Sequence, residues 1–416
     1  MEAGRHWLDD ERLRVYPRIF VAAYLFAVVA YALTLHDGLD FKGQPLGTDF
    51  VTFYSASVLV LSGRGASVFD YAVLNATQKA VFPGFTGELF AWFYPPTFLL
   101  VIAPLALVPY LAALAGFVAT TTAAWLVALR SAVARAGAGW LIAAFPGLWV
   151  CAAHGQNGLL TAALAGGSLL LHGRKPVLAG VLLGLLAIKP HLAVLFAVAL
   201  VAARAWRTLA SAAATAVAFL AASLLVFGPG VLGAWLDSLQ FARLATENGY
   251  LPWAKMPSTF ALLRLLGTPV PWAYAVHAVV AIAAAVAVWV VWRRTDALPL
   301  RGAVLMAATF LANPYAFDYD LVWLAFPIAW LAVYGLENGW RRGDREVLVA
   351  AWLLPALATA LASLTRVQVA PLVLAALVWV AVRRVVAGRG LPGWLVGVSA
   401  PSAPPARARR RSSPPA

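Results

Sequence analysis

The chain has 416 residues, of which 62% are hydrophobic and only 12% charged, with a mean hydropathy of +0.82. A soluble domain carries about 25% charged residues, so this composition excludes an ordinary water-soluble globular protein. The formal net charge of +14 would suit a nucleic-acid binder, a reading that the distribution of the charges along the chain then excludes.

The apolar residues fall into blocks long enough, as helix, to cross about 30 Å of hydrocarbon. Lipid offers backbone N–H and C=O groups no water, so such blocks must be helical. The first runs from Pro17 to Leu35, too long for a signal-peptide core and lacking a small-residue cleavage site, and is expected to remain as the first span. A polar, aromatic-rich segment follows from His36 to Pro96. Within it, "FVTFYSASVLVL" predicts an amphipathic helix lying along the membrane interface. The run from Thr97 to Leu129 contains Pro104 and Pro109 and predicts one full span plus a re-entrant or surface piece.

Shorter, glycine-punctuated spans are expected at residues 138–153, 157–172, 176–188, 191–203 and 208–227. A second outer segment, Gly228 to Pro271, is followed by closing spans at 271–292, 300–316, 320–336, 347–364 and 369–387. The sequence thus predicts an all-α polytopic membrane protein of about twelve spans, both termini cytoplasmic. Residues 1–399 form one membrane domain, and 400–416, rich in Pro, Ser and Arg, a disordered basic tail. The lone cysteine, Cys151, excludes an intrachain disulfide.

With this topology about 23 of the 31 basic residues lie on the cytoplasmic side, against about 8 of the 17 acids. The basic surplus therefore encodes orientation, and no nucleic-acid partner is expected. The tail from Arg407 to Arg411 is expected to touch anionic lipid headgroups.

Polar groups at membrane depth are costly and mark functional sites by default. Here they collect at the predicted outer ends of the spans: Asp49, "YPP" at Tyr94–Pro96, "HGQN" at His154–Asn157, "KPH" at Lys189–His191, and "NPYAFDYD" at Asn313–Asp320. Asp49 fits a helix N-cap and equally a general base held at the membrane surface. Lys189 can snorkel to headgroups or place a point charge on a lipid-linked phosphate, while Pro190 breaks the helix beside it. Lys255 and Arg264, in the second outer segment, have the same two readings. Gln156 and Asn157 can hold sugar hydroxyls or join helix to helix. Asp318 and Asp320 sit in an aromatic turn, where loop chemistry also explains them. Tyr94, His191 and Asn313 complete the candidate substrate-binding set. His154 and His191 lack metal-ligand spacing, and no Walker loop, GxSxG or HExxH motif occurs.

The order of these motifs, from Asp49 to Asp320, resembles the glycosyltransferase family 87 group (DUF2029), polyprenyl-phosphate-sugar-dependent transferases of the GT-C superfamily. The clearest stretches are "GTDFVTFYSAS…YPPTFLLVIAPLAL", "GQNGLLTAAL" and "GLLAIKPHLAVL". The resemblance implies a GT-C-like membrane fold with its active site on the outer, periplasmic side of a bacterial inner membrane. It implies a donor sugar, commonly mannose, on a polyprenyl phosphate, and a lipid or glycan acceptor. The position matching the family's catalytic base is Asp49. The first outer segment has no DxD-type pair, so neither a metal nor another cofactor is expected. A transporter or flippase of lipid-linked sugars is the rival reading, but it would place charges at the midplane and on both sides.

Overall fold

The computed structural model describes residues 6–85, 90–133 and 138–386. The expected tail at 400–416 lies outside them. The described residues are all-α, with no strand beyond isolated bridges among His36, Leu39 and Pro45. Among the described residues, six helices are long and apolar enough to cross a membrane: Asp10–Ala32, Tyr110–Ala132, Trp206–Phe227, Val270–Arg294, Asp318–Asn338 and Asp344–Thr365. Between them lie shorter apolar helices, among them Gly158–Leu171, Pro176–Ile188, Pro190–Ala202 and Leu298–Ala312.

Proline punctuates the fold where its missing N–H and fixed φ end or start a helix. Pro104 lies in a 3-10 turn, Ala103–Leu107, that ends the short helix Pro96–Ile102, and the long helix Tyr110–Ala132 starts directly after Pro109. The run of residues 97–129 is therefore one full-length helix plus a short, mostly buried helical piece. The block at 138–153 is split before Pro146 into two helices, Ala138–Ala143 and Pro146–Ala153. At Lys189 the backbone leaves helical geometry (φ −142°, ψ 68°), with a 3-10 turn on either side.

One expectation is corrected. The helix Phe50–Leu61 does not lie along an interface; eight of its twelve residues are buried, on every side. Two of its buried hydroxyl groups find acceptors inside the protein, Thr52 Oγ1 donating to Phe90 O at 2.8 Å and Ser57 Oγ to Ala103 O at 2.7 Å. A helix apolar all round belongs in a core, and internal acceptors lower the cost of burying the Thr52 and Ser57 hydroxyls.

The main core surrounds the helix Leu298–Ala312, most of which is buried, and includes Phe196, Phe310, Trp323, Phe326 and Trp330. Close helix packing comes from small residues, as it must where lipid supplies no hydrophobic drive between helices. Gly180 and Gly184, one turn apart, face the helix Trp206–Phe227. A Cβ there would stand 2.5 Å from Thr208 O and 2.6 Å from Ala212 O, respectively. Gly180→Ala or Gly184→Ala should therefore destabilise the protein by about 1–3 kcal/mol, read as a lower midpoint of thermal unfolding in detergent. An unchanged midpoint in both variants would mean that this contact relaxes freely.

Candidate functional site

The polar groups scattered through the sequence converge around the turn His154–Asn157, which joins the helices Pro146–Ala153 and Gly158–Leu171. The turn needs Gly155: its φ is +60°, and a Cβ there would lie 2.6 Å from the Phe50 Cβ. That close approach brings the start of the helix Phe50–Leu61 against the turn and sets Asp49 beside Gln156.

Asp49 occupies the N-cap position, but its side chain makes no capping bond. Its Oδ2 instead accepts from Gln156 Nε2 at 2.9 Å. Gln156 Oε1 accepts in turn from the Tyr94 hydroxyl at 2.9 Å and from Asn157 N at 3.2 Å. Gln156 is thus locked in one amide orientation, and its NH₂ group is aimed at the carboxylate. Asp49 is half-buried, and among the described residues no side chain or backbone group donates to its Oδ1. Burial first, then the negative charges of Asp320 and Asp49, hold the Tyr94 phenol well above its ordinary range. Tyr94 is therefore a donor and not a phenolate.

Beside this chain of hydrogen bonds lies an ion pair. Lys189 Nζ is 2.7 Å from Asp320 Oδ1, the two residues being 5% and 1% exposed. The ammonium also lies over two aromatic faces, 4.9 Å from the Tyr319 ring centre and 5.7 Å from that of Tyr94. Negative ring faces attract a cation, so Lys189 is enclosed on three sides. Asp318 is buried too, accepting from Tyr319 N and from Thr359 Oγ1, each at 2.9 Å. It holds the turn to the helix Asp344–Thr365.

A second ammonium approaches from the segment 228–271. Lys255 Nζ lies 3.1 Å from His154 Nε2, while His154 Nδ1 lies 2.8 Å from Val150 O. The carbonyl can only accept, which places the ring proton on Nδ1 and leaves Nε2 to accept from the lysine. The 3-10 turn Trp253–Lys255 that carries Lys255 is held by Gln368 Nε2, which donates to Ala254 O at 2.8 Å. Lys255 is half-buried and, among the described residues, has no carboxylate in salt-bridge range. The rings of His154 and Tyr319, 6.0 Å apart, connect the two lysines.

The remaining candidates fall into different places. Arg264 donates to Thr268 O and Glu247 O and stacks on Trp253 at 4.7 Å, so its guanidinium braces the segment 228–271. Asn313 Oδ1 accepts from Tyr315 N at 2.9 Å, which shapes the turn. Asn157 is fully buried, and neither of its side-chain polar atoms has a partner among the described residues. His191 is exposed. Three contributors escape a sequence reading: Tyr319, Thr359 and Gln368. Tyr319 alone carried a signal, its place in the "FDYD" turn. No group of three or more His, Cys, Asp or Glu with metal-binding potential occurs among the described residues.

Fold and site together define an all-α membrane protein with a carboxylate, an amide and two ammonium groups gathered where several helices end or break. The model of glycosyltransferase family 87 matches residues 92–314, more than half of the chain, and the protein belongs to that family. The match includes Tyr94, Gln156, Asn157, Lys189, His191, Lys255, Arg264 and Asn313; Asp49, Asp318 and Asp320 lie outside it. Comparison with curated proteins and with solved structures gives no match.

The buried pair generates a stability prediction. Lys189→Met leaves the Asp320 carboxylate buried without its cation and should cost about 3–5 kcal/mol. Adding Asp320→Leu should restore most of that loss, as measured by thermal unfolding in detergent. Full stability in the single variant would show that Asp320 finds another partner or takes up a proton.

Proposed function

We propose that this glycosyltransferase moves a hexose, mannose being the first candidate, from a polyprenyl phosphate to a hydroxyl of a lipid or glycan acceptor. The reaction would take place at the outer, periplasmic face of a bacterial inner membrane, inverting the anomeric carbon, on a GT-C-like scaffold and without a metal. The observation that carries this reading is the Asp49 carboxylate: one oxygen is fixed by Gln156, the other has no donor among the described residues, and Gln156 links it to Tyr94, over whose ring Lys189 lies.

In this reading Asp49 Oδ1 accepts the proton of the acceptor hydroxyl as its oxygen attacks the anomeric carbon. A base must lie within hydrogen-bond reach of that proton, and the Gln156 contact fixes the carboxylate for it. The bond from the anomeric carbon to the phosphate oxygen breaks, and the polyprenyl phosphate leaves with the electron pair. Negative charge grows on the departing phosphate, so preorganised cations there favour the transition state over the ground state. An ammonium has three N–H donors. Lys255 spends one on His154 and has no acid to offset its charge, making it the stronger candidate clamp. Lys189 spends one on Asp320 and has two left to donate. Tyr94, Gln156, Asn157, His191, Asn313, Asp318 and Asp320 would shape the sugar and acceptor sites. The rival transporter reading has family membership against it. The outer placement of the site rests on the charge partition along the chain.

The test is transfer from a set of radiolabelled polyprenyl-phosphate sugars by membranes containing the protein. Asp49→Asn can still accept from Gln156 but cannot take a proton, so kcat should fall about 10²-fold or more. Asp49→Glu should be intermediate at best, because its extra methylene misplaces the oxygen. Near-normal turnover in the asparagine variant would reject Asp49 as base and turn attention to Asp318 and Asp320.

In the same assay Lys255→Ala should raise the donor KM and lower kcat, whereas Lys255→Arg keeps the charge and part of the activity. A donor KM and kcat unchanged by the alanine variant would leave Lys255 as a structural partner of His154.

A further inference from the structure

Away from this site, the end of the helix Asp318–Asn338, the start of Asp344–Thr365 and the end of Ala370–Val386 meet in a second charged cluster. At its centre is Asp344, 1% exposed. Its Oδ1 accepts from Arg383, and its Oδ2 from Arg384 and from Arg341 N. The guanidiniums also tie the three helix ends together. Arg341 Nη1 donates to Arg383 O at 2.7 Å, Arg383 Nη2 to Arg342 O at 3.1 Å and Arg384 Nη2 to Gly339 O at 3.1 Å.

The charges here do not balance. Within residues 337–346 and 383–384, five arginines, Arg341, Arg342, Arg345, Arg383 and Arg384, stand against three acids, Asp344, Glu337 and Glu346, and Glu346 is engaged by His6 at 3.1 Å. Burial first, then repulsion from Arg384 and Arg383, lowers the Arg341 pKa from its ordinary value, so the crowding is felt within the cluster itself. The Nε atoms of Arg383 and Arg384 are buried with no hydrogen-bond partner among the described residues. Arg384 lies over the Tyr334 ring at 5.2 Å and Arg345 over Trp340 at 5.0 Å. Tyr and Trp beside arginine at the ends of membrane-crossing helices mark the headgroup level of a bilayer.

We infer that this cluster is a binding site for the headgroup of an anionic phospholipid, with phosphodiester oxygens offsetting the surplus guanidinium charge of Arg341, Arg342 and Arg345. Guanidinium forks suit phosphate oxygens geometrically, and basic pockets between helix ends are known lipid sites in membrane proteins. The surplus of two positive charges favours a lipid carrying two phosphodiesters over one carrying a single phosphodiester. A zwitterionic headgroup brings its own cation and offsets nothing. The inference is independent of the sugar chemistry at the other cluster.

The test uses the full-length protein in neutral detergent with phosphatidylglycerol, a cardiolipin, phosphatidylcholine or inorganic phosphate added at equal phosphate concentration. A ligand that binds only the folded state raises its unfolding midpoint. The two anionic lipids should raise it by about 2–5 °C, the cardiolipin more, and both should stay bound in native mass spectra. Phosphatidylcholine and inorganic phosphate should do neither. Arg341→Gln with Arg345→Gln leaves the Arg383–Asp344–Arg384 contacts in place and should abolish most of the shift. Arg293→Gln with Arg294→Gln, which alters another basic helix end, should keep it. If the double variant does not fold, Arg345→Gln alone, whose side chain does not bond Asp344, should still reduce the shift. An equal shift with phosphatidylcholine, an equal shift with inorganic phosphate, or a shift that survives Arg345→Gln and the double variant would each overturn the assignment.

Discussion

A charge taken out of water must find an opposite charge or a set of dipoles. The Lys189–Asp320 pair is where this protein meets that requirement most severely. The two residues are 131 positions apart and touch at 2.7 Å. One sits at the break between two short helices, the other in the turn that opens the helix Asp318–Asn338. Their contact fixes the break against the turn, and with it Tyr94 and Tyr319, whose rings face the ammonium. Around that fixed point the remaining polar groups take their places.

Asp49 depends on a second constraint, the close approach allowed at Gly155. Without it, the turn carrying Gln156 could not reach the start of the helix Phe50–Leu61. The result is a carboxylate held by an amide and not spent on its own helix terminus. Compared with Asp320, whose Oδ1 is neutralised by a lysine, Asp49 keeps an oxygen available and is less deeply buried. Two aspartates close in space thus have unlike environments, and that difference separates a structural anion from a candidate base.

The arginine cluster around Asp344 solves the opposite problem. At the first site two lysines lie among carboxylate, imidazole and aromatic partners. At the second, guanidiniums outnumber the acids and borrow backbone carbonyls to hold their positions. Lysine suits the first, because a compact ammonium can share donors among a carboxylate, a ring face and an incoming anion. Arginine suits the second, because its planar fork braces several helix ends at once.

The sequence by itself determined the helical class and the breaks at Pro109 and Pro190, because these follow from local run length and from proline's missing N–H; the split of 138–153 at Pro146 appeared only in the structure. It also assembled a candidate list that contains most of the clustered residues, since polar groups in apolar runs stand out wherever they fall. Only the tertiary structure decided who pairs with whom. Asp49 lies 107 residues from Gln156, and no local pattern distinguishes a carboxylate that caps a helix from one that a remote amide holds. The same holds for Lys189, an ion-pair partner of Asp320, and for Arg264, occupied by backbone carbonyls of its own segment. The helix Phe50–Leu61 went inside because apolar neighbours surround it on every side and acceptors at Phe90 and Ala103 meet the hydroxyls of Thr52 and Ser57. Helix formation is a property of neighbours in the chain, whereas satisfying a buried charge or hydroxyl depends on neighbours in space.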